Sequence, residues 1–94
     1  MKFYVKVHDN FIAVCDEDLI NKTFEDGNTR LEVSARFYKD KLLDYKEVKN
    51  LLANGINLNL VGNKCVKLAL DNKIIKKENI LYIKGIPHAQ IYTI

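Results

Sequence analysis

The chain has 94 residues and a formal net charge of +3, which is enough sequence for one domain that buries a single hydrophobic core. Hydrophobic residues make up 48% and charged residues 29% of the chain, a composition that argues against intrinsic disorder. No apolar run approaches the roughly 18 residues of a membrane helix and the N-terminus lacks the apolar segment of a signal peptide, so we expect a cytoplasmic protein with no membrane partner.

Hydrophobic periodicity and turn signals predict nine elements in chain order. They are strands over 2–8 and 11–15, a short helix over 17–24, a strand over 30–38, a helix that starts after residue 44 and ends before 55, a strand over 56–61, a helix over 64–73, and strands over 80–84 and 87–94. Residues 56–84 read as strand–helix–strand, which predicts a parallel crossover if both strands share one sheet. The fold class that follows is α+β: a single compact domain over 1–94 with a mixed, mostly antiparallel sheet and about three helices.

Local signals support the helix boundaries. Asp16 is predicted to cap the first helix, because a carboxylate at that position accepts free backbone N–H groups. Asp44 and Glu47 have the spacing of a capping box, and Gly55 is predicted to end that helix at the C′ position.

The strand-to-helix turn at Gly62 is the first candidate site. A helix that starts at a glycine presents free N–H groups, and Gly62, Asn63 and Lys64 could together bind a phosphate or a carboxylate. Neither GxGxxG nor GxxxxGK[ST] is present, so no cofactor loop is indicated. The alternative is a sharp turn in which Gly62 adopts a positive φ.

The segment from Gly85 to Gln90 is the second candidate site. Pro87 lacks a backbone donor, which predicts an edge strand or a bulge. His88 and Gln90 would share one face of that strand, opposite Pro87, and could offer an imidazole and an amide to one ligand. The alternative is that both side chains rest on a solvent-exposed face.

The two cysteines, Cys15 and Cys65, are predicted to be reduced and buried. Cys15 precedes a predicted helix start, where a thiol can become nucleophilic, but the negative charges of Glu17 and Asp18 oppose that effect. There is no CxxC pair and no local set of metal ligands, so neither a metal nor a cofactor is expected.

The charge is concentrated in the second half of the chain. Residues 49–94 carry seven basic and two acidic side chains, whereas residues 1–48 carry more acidic than basic ones. Lys64, Lys67 and Lys84 could therefore attract a nucleic acid, with Tyr82 beside Lys84 to stack on a base. The aromatic consensus of an RRM and the GxxG loop of a KH domain are absent. The alternative is an ordinary solvated surface rich in lysine.

Several segments together resemble a small archaeal family that is catalogued as domain of unknown function 424. They are Cys15-Asp16 with Leu19 and Lys22, Arg30-Leu-Glu-Val-Ser34 with Phe37-Tyr38, Asn59-Leu-Val-Gly62, and Gly85-Ile-Pro-His-Ala-Gln90. The resemblance extends over nearly the whole chain and implies a compact α+β domain in an archaeal cytoplasm. The resemblance implies no activity. It does imply a loose link with translation or ribosome biogenesis.

Three functional hypotheses remain. The leading one is a non-catalytic module that binds RNA or a ribosomal particle in translation. The second is a protein-interaction domain that forms a homodimer by pairing through a C-terminal edge strand, where the chain ends in Thr93-Ile94. The third is a small anion-binding protein or enzyme that uses His88 and the helix start at Gly62, although no nucleophile is placed for it.

Overall fold

A computed structural model describes residues 1–92 as eight strands and three α-helices. The strands are β1 (Lys2–Val7), β2 (Ile12–Asp16), β3 (Thr23–Asp26), β4 (Thr29–Glu32), β5 (Lys41–Asp44), β6 (Leu58–Val61), β7 (Ile80–Ile83) and β8 (Ile86–Ile91). The helices are α1 (Ala35–Tyr38), α2 (Tyr45–Ala53) and α3 (Asn63–Asp71). Within these residues, no helix is long and apolar enough to cross a bilayer.

Six strands form one mixed sheet in the order β5-β1-β2-β6-β8-β7, and β3 pairs with β4 in a separate hairpin. All neighbours are antiparallel except β2 and β6, which are parallel. Because β8 is antiparallel to both β6 and β7, those two strands run parallel, and α3 connects them as predicted. The α+β fold class with a mixed sheet and three helices is confirmed.

The two faces of the six-stranded sheet are covered by different elements. The core under α2 and α3 includes Phe3, Val5, Val14, Val48, Leu52, Leu58, Leu60, Val66, Leu68 and Ala89. The core under α1 and the β3–β4 hairpin consists of Ala13, Cys15, Leu19, Leu31, Val33, Tyr38, Val61 and Ile83. Successive strand residues point to opposite faces, so Leu60 and Val61 enter different cores.

The helix predicted over 17–24 is wrong. Glu17–Leu19 forms a single 3-10 turn, and Thr23–Asp26 is a strand. Asn21 adopts a left-handed conformation, and its N–H donates to the carbonyl of Val33 at 2.6 Å. Pairing with β4 and the bonds to Val33 therefore use backbone groups that would otherwise form helical hydrogen bonds. The helical spacing of the side chains does not determine the secondary structure here.

The strand predicted over 30–38 is too long, because β4 ends at Glu32. Ser34 starts α1, and its Oγ accepts a hydrogen bond from the N–H of Phe37 at 3.2 Å. A serine at this position can cap a helix through its hydroxyl group, which competes with hydrogen bonding of the backbone to a neighbouring strand. The alternating pattern thus continues across a change from strand to helix.

The capping box at the start of α2 is confirmed. Asp44 accepts from the N–H of Glu47, and the side chain of Glu47 accepts from the N–H of Asp44. Gly55 follows this helix as predicted, but its φ is not positive. A Cβ at Gly55 would lie 2.9 Å from Leu58 Cδ2, so close packing is the reason for this glycine.

The prediction that Pro87 marks an edge strand or bulge is wrong, because β8 lies inside the sheet between β6 and β7. Gly62 donates its N–H to the carbonyl of Pro87, and the carbonyl of Gly62 accepts from the N–H of Val66 in α3. A backbone N–H at position 87 would have pointed at the carbonyl of Gly62, which already accepts from Val66. The sheet therefore loses no hydrogen bond through the missing donor of Pro87. The described edge strands are β5 and β7, and the predicted strand end at Thr93-Ile94 lies outside the described residues.

Candidate functional site

The helix start at Gly62 is occupied by a side chain of the protein itself. Asp16 Oδ2 accepts from the N–H of Lys64 at 3.0 Å, and Asp16 Oδ1 accepts from the N–H of Cys65 at 2.7 Å. Gly62 has the expected positive φ, 115°, and a Cβ at this position would collide with the carboxyl group of Asp16. The prediction that Asp16 caps the helix directly after it is therefore wrong, because its carboxylate caps α3 instead. These two donors are not left for an external anion.

Burial dominates the electrostatics around Asp16. Burial raises the pKa of Asp16, and the hydrogen bonds from the two backbone donors lower it by less. Burial, followed by the charges of Asp16 and Asp18, raises the pKa of Cys15 to about 12, and burial raises the pKa of Cys65 as well. Both thiols are therefore neutral, buried and structural, as expected from the sequence.

Of the two predicted lysines of α3, only Lys67 is paired with an acidic side chain in the described part of the chain. Lys64 lines a pocket of mixed charge together with Lys2, Glu17 and Asp18. Lys67 forms an exposed ion pair with Asp71, 2.8 Å from Nζ to Oδ2, one turn along the helix. Asp71 thus partly balances the positive charge of Lys67, which weakens the attraction of this lysine for a polyanion.

The remaining predicted residues are not gathered at Gly62. Asn63 is the exposed first residue of α3, and Lys84 lies in the β7–β8 turn, where it and Gly85 both have positive φ. His88 points to the α1 side of the sheet, whereas α3 lies on the opposite side. The structure therefore does not bring His88 and Lys64 into one site.

His88 belongs to a polar network that the sequence did not predict. The Tyr38 hydroxyl donates to Asn59 Oδ1 at 2.6 Å, and His88 Nε2 lies 3.2 Å from the same oxygen. Asn59 is 4% exposed, and burial lowers the pKa of the half-buried His88. Gln90 pairs with Asn59 across the strands but is exposed. A polar residue inside the strand pattern 56–61 was the one available signal for Asn59.

An open pocket of about 310 Å³, here called the Asn59 pocket, lies over this network. Its lining residues are Arg30, Leu31, Glu32, Ser34, Phe37, Tyr38, Asn59 and His88. Arg30 at its rim pairs with Glu25 at 3.2 Å and with Glu32 at 3.3 Å. The rim therefore carries no excess of positive charge.

A second pocket, here called the aromatic pocket, has a volume of about 450 Å³. It is lined by Lys6, His8, Phe11, Ser34, Arg36 and Phe37. His8 stacks on Phe11 with ring centroids 4.3 Å apart and planes within 9°, and Phe37 leans against both rings. His8 Nε2 also donates to the carbonyl of Phe37 at 2.9 Å, which fixes the position of the imidazole.

Lys6 and Arg36 line the aromatic pocket, and a third cation, Lys39, lies on the same face of the sheet. Lys6 Nζ donates to the carbonyl of Arg36 at 2.7 Å, and Lys39 Nζ lies 5.5 Å from the ring centroid of Tyr4 on the same face of the sheet. The lining of the aromatic pocket contains two cations and no carboxylate, whereas the Asn59 pocket contains Glu32. The two pockets adjoin, because Ser34 and Phe37 line both.

Comparisons with known proteins place the chain in a family without assigning it an activity. The chain matches none of the curated proteins. It is similar in fold to the crystal structure of an uncharacterized conserved protein from Methanopyrus kandleri, with 21% identity and a TM-score of 0.76 over 98% of this chain and 91% of that chain. The family described as "Protein of unknown function (DUF424)" matches residues 5–94. The chain therefore belongs to the DUF424 family.

Proposed function

We propose that this protein is a non-catalytic module that binds single-stranded RNA through the aromatic pocket. The observation that carries the proposal is the lining of that pocket: three packed rings with two cations and no carboxylate. Aromatic side chains stack on unpaired bases, and neighbouring cations neutralise the phosphates between them.

The location differs from the one that the charge distribution suggested. Lys6, Arg36 and Lys39 all come from the half of the chain with more acidic than basic residues, and the fold gathers them on one face. The ion pair of Lys67 with Asp71 and the mixed charge around Lys64 make α3 the weaker candidate. RNA affinity at the aromatic pocket should fall as salt rises, because binding releases counterions from the phosphates.

Fluorescence anisotropy with a labelled single-stranded oligoribonucleotide tests this proposal. Arg36→Ala should weaken binding severalfold at low salt and reduce the salt slope by about one unit, as expected for the loss of one phosphate contact. Lys67→Ala is the matched control, since it also removes one positive charge but lies on α3. Absence of RNA binding by the wild type at low salt, or equal losses in both variants, would refute the proposal.

A ribosomal particle is the partner we propose to test alongside free RNA, since its exposed single strands present the same chemistry. Co-sedimentation with ribosomal particles should be salt-sensitive and should weaken in the Arg36→Ala variant. Sedimentation that is unchanged in this variant would separate any ribosomal association from the aromatic pocket.

Strand β7 favours a second candidate function, self-association by strand pairing. It lies at the edge of the sheet and exposes Leu81 and Tyr82, with 69% and 66% of their surfaces accessible. An exposed apolar edge strand can pair with the same strand of a second copy. Light scattering should then detect dimers that Leu81→Lys dissociates, and a monomer at high concentration would exclude this function.

A further inference from the structure

We propose that the Asn59 pocket takes one nucleobase of the bound strand and reads its hydrogen-bonding edge. This inference rests on the proposed RNA-binding function and assigns that function a base preference. It depends on three observations: a fixed hydrogen-bonding network, a rim with balanced charge, and two lining residues shared with the aromatic pocket.

The network fixes which groups the pocket can offer. Asn59 Oδ1 accepts from the Tyr38 hydroxyl and, at 3.2 Å, from His88 Nε2. Because Nε2 carries the proton in this arrangement, Nδ1 of the neutral imidazole is left as an acceptor. The carboxamide oxygen is already used twice, so Asn59 contributes its Nδ2 donors. The network thus leaves one acceptor, His88 Nδ1, and one pair of donors, Asn59 Nδ2, and groups of these two kinds read a base edge.

The amide nitrogen of Asn59 keeps some solvent contact although the residue is almost entirely buried. This nitrogen makes no hydrogen bond to another residue within 1–92. In that range, however, every side-chain nitrogen or oxygen that is fully shielded from solvent has a hydrogen-bond partner. The nitrogen is therefore not fully shielded from solvent, and Asn59 lines the Asn59 pocket. A ligand that accepts from this group would replace water at a site whose geometry is already set.

The charge at the rim favours a neutral ligand. Arg30 is paired with two glutamates, and one of them, Glu32, lines the pocket itself. A phosphate or carboxylate would meet that negative charge, whereas an uncharged planar base would not. Burial keeps His88 neutral by lowering its pKa, which also favours hydrogen bonding over ion pairing.

The two pockets share Ser34 and Phe37, so one strand can cross both. Phe37 stands between them, with its ring 5.4 Å from Phe11 and 4.8 Å from Tyr38. A base stacked in the aromatic pocket would place its neighbour at the Asn59 pocket. Phosphates would then lie nearest Lys6 and Arg36, away from Glu32.

Anisotropy with the four homopolymeric oligoribonucleotides tests the inference in wild type and in two histidine variants. The wild type should bind one homopolymer about tenfold more tightly than the weakest, as expected for one well-read base. His88→Ala should shrink that ratio towards one, whereas His8→Ala, which removes a ring of the aromatic pocket, should weaken every homopolymer. Tyr38→Phe removes the hydroxyl that positions Asn59 and should also shrink the ratio. Circular dichroism checks that each variant is folded.

The outcomes separate the two proposals. If the wild type binds no RNA at low salt, the proposed function fails and this inference fails with it. If the wild type binds all homopolymers equally, or if both folded variants, His88→Ala and Tyr38→Phe, retain the wild-type ratio, only the base-reading role fails. Loss of preference in these two variants with retained salt-sensitive binding supports both.

Discussion

Asp16 is expected to be the most important polar side chain for the stability of this fold, and Asp16→Ala tests that expectation. Asp16 is 4% exposed, and its carboxylate accepts from two backbone N–H groups at the start of α3, a helix whose N-cap residue is Gly62. Without it, α3 begins with no side-chain cap. The N–H of Cys65, which lies in a buried position, would then have no described partner in its place.

The expected loss can be estimated from these contacts. A buried donor left unpaired costs about 1–3 kcal/mol, and a lost N-cap costs about 1 kcal/mol. The desolvation that raises the pKa of Asp16 works in the other direction, because alanine removes a charge that is costly to bury. We therefore expect a net loss of about 2 kcal/mol in the free energy of unfolding, with a fall of roughly 8–16 °C in Tm.

Urea unfolding followed by circular dichroism measures this loss, and Asp44→Ala is the matched control. Asp44 also caps a nine-residue helix, but its hydrogen bonds are exposed to solvent. Water can replace the lost partner there, so Asp44→Ala should cost less. If Asp16→Ala destabilises the protein no more than Asp44→Ala does, the role assigned to the buried cap is wrong.

Two further predictions concern titratable groups. Burial lowers the pKa of His88 below 6.5 in the folded protein, so His88 binds protons more readily in the unfolded chain. The free energy of unfolding should therefore fall as the pH drops from 6.5 towards the folded pKa. This fall should be smaller in His88→Ala. An NMR titration that places the His88 pKa above 6.5 would contradict this. Cys15 and Cys65 should react with a thiol reagent only on unfolding, because both are buried and the pKa of Cys15 is about 12. Rapid labelling of the native protein would be inconsistent with that environment.

The sequence predicted those elements whose signals are local. The capping box at Asp44, the buried strand that ends at Val61 and the positive φ of Gly62 all follow from neighbouring residues. The errors lie where a distant partner decides. Residues 17–24 have helical spacing, but backbone bonds to Val33 draw them into the β3–β4 region. Pro87 tolerates a central strand because α3 begins opposite it.

The candidate site was harder to predict than the fold because sheet pairing creates it. Asn59 and His88 are 29 residues apart in the chain. Their contact can be predicted only once it is known which strands pair and in which direction. Asp16 shows the same limit, since its capping role was expected but its helix lies 48 residues away. Lys6 and Arg36 were overlooked because a charge count over half the chain averages them with nearby acids.

Mapping of backbone amide shifts by NMR during titration with a single-stranded oligoribonucleotide at low salt tests the central claim most directly. The account predicts perturbations at His8, Phe11, Arg36 and Phe37, extending to Asn59 and His88, with little change along α3. Perturbations confined to α3 near Lys64, or none anywhere at low salt, would contradict RNA binding at the aromatic pocket.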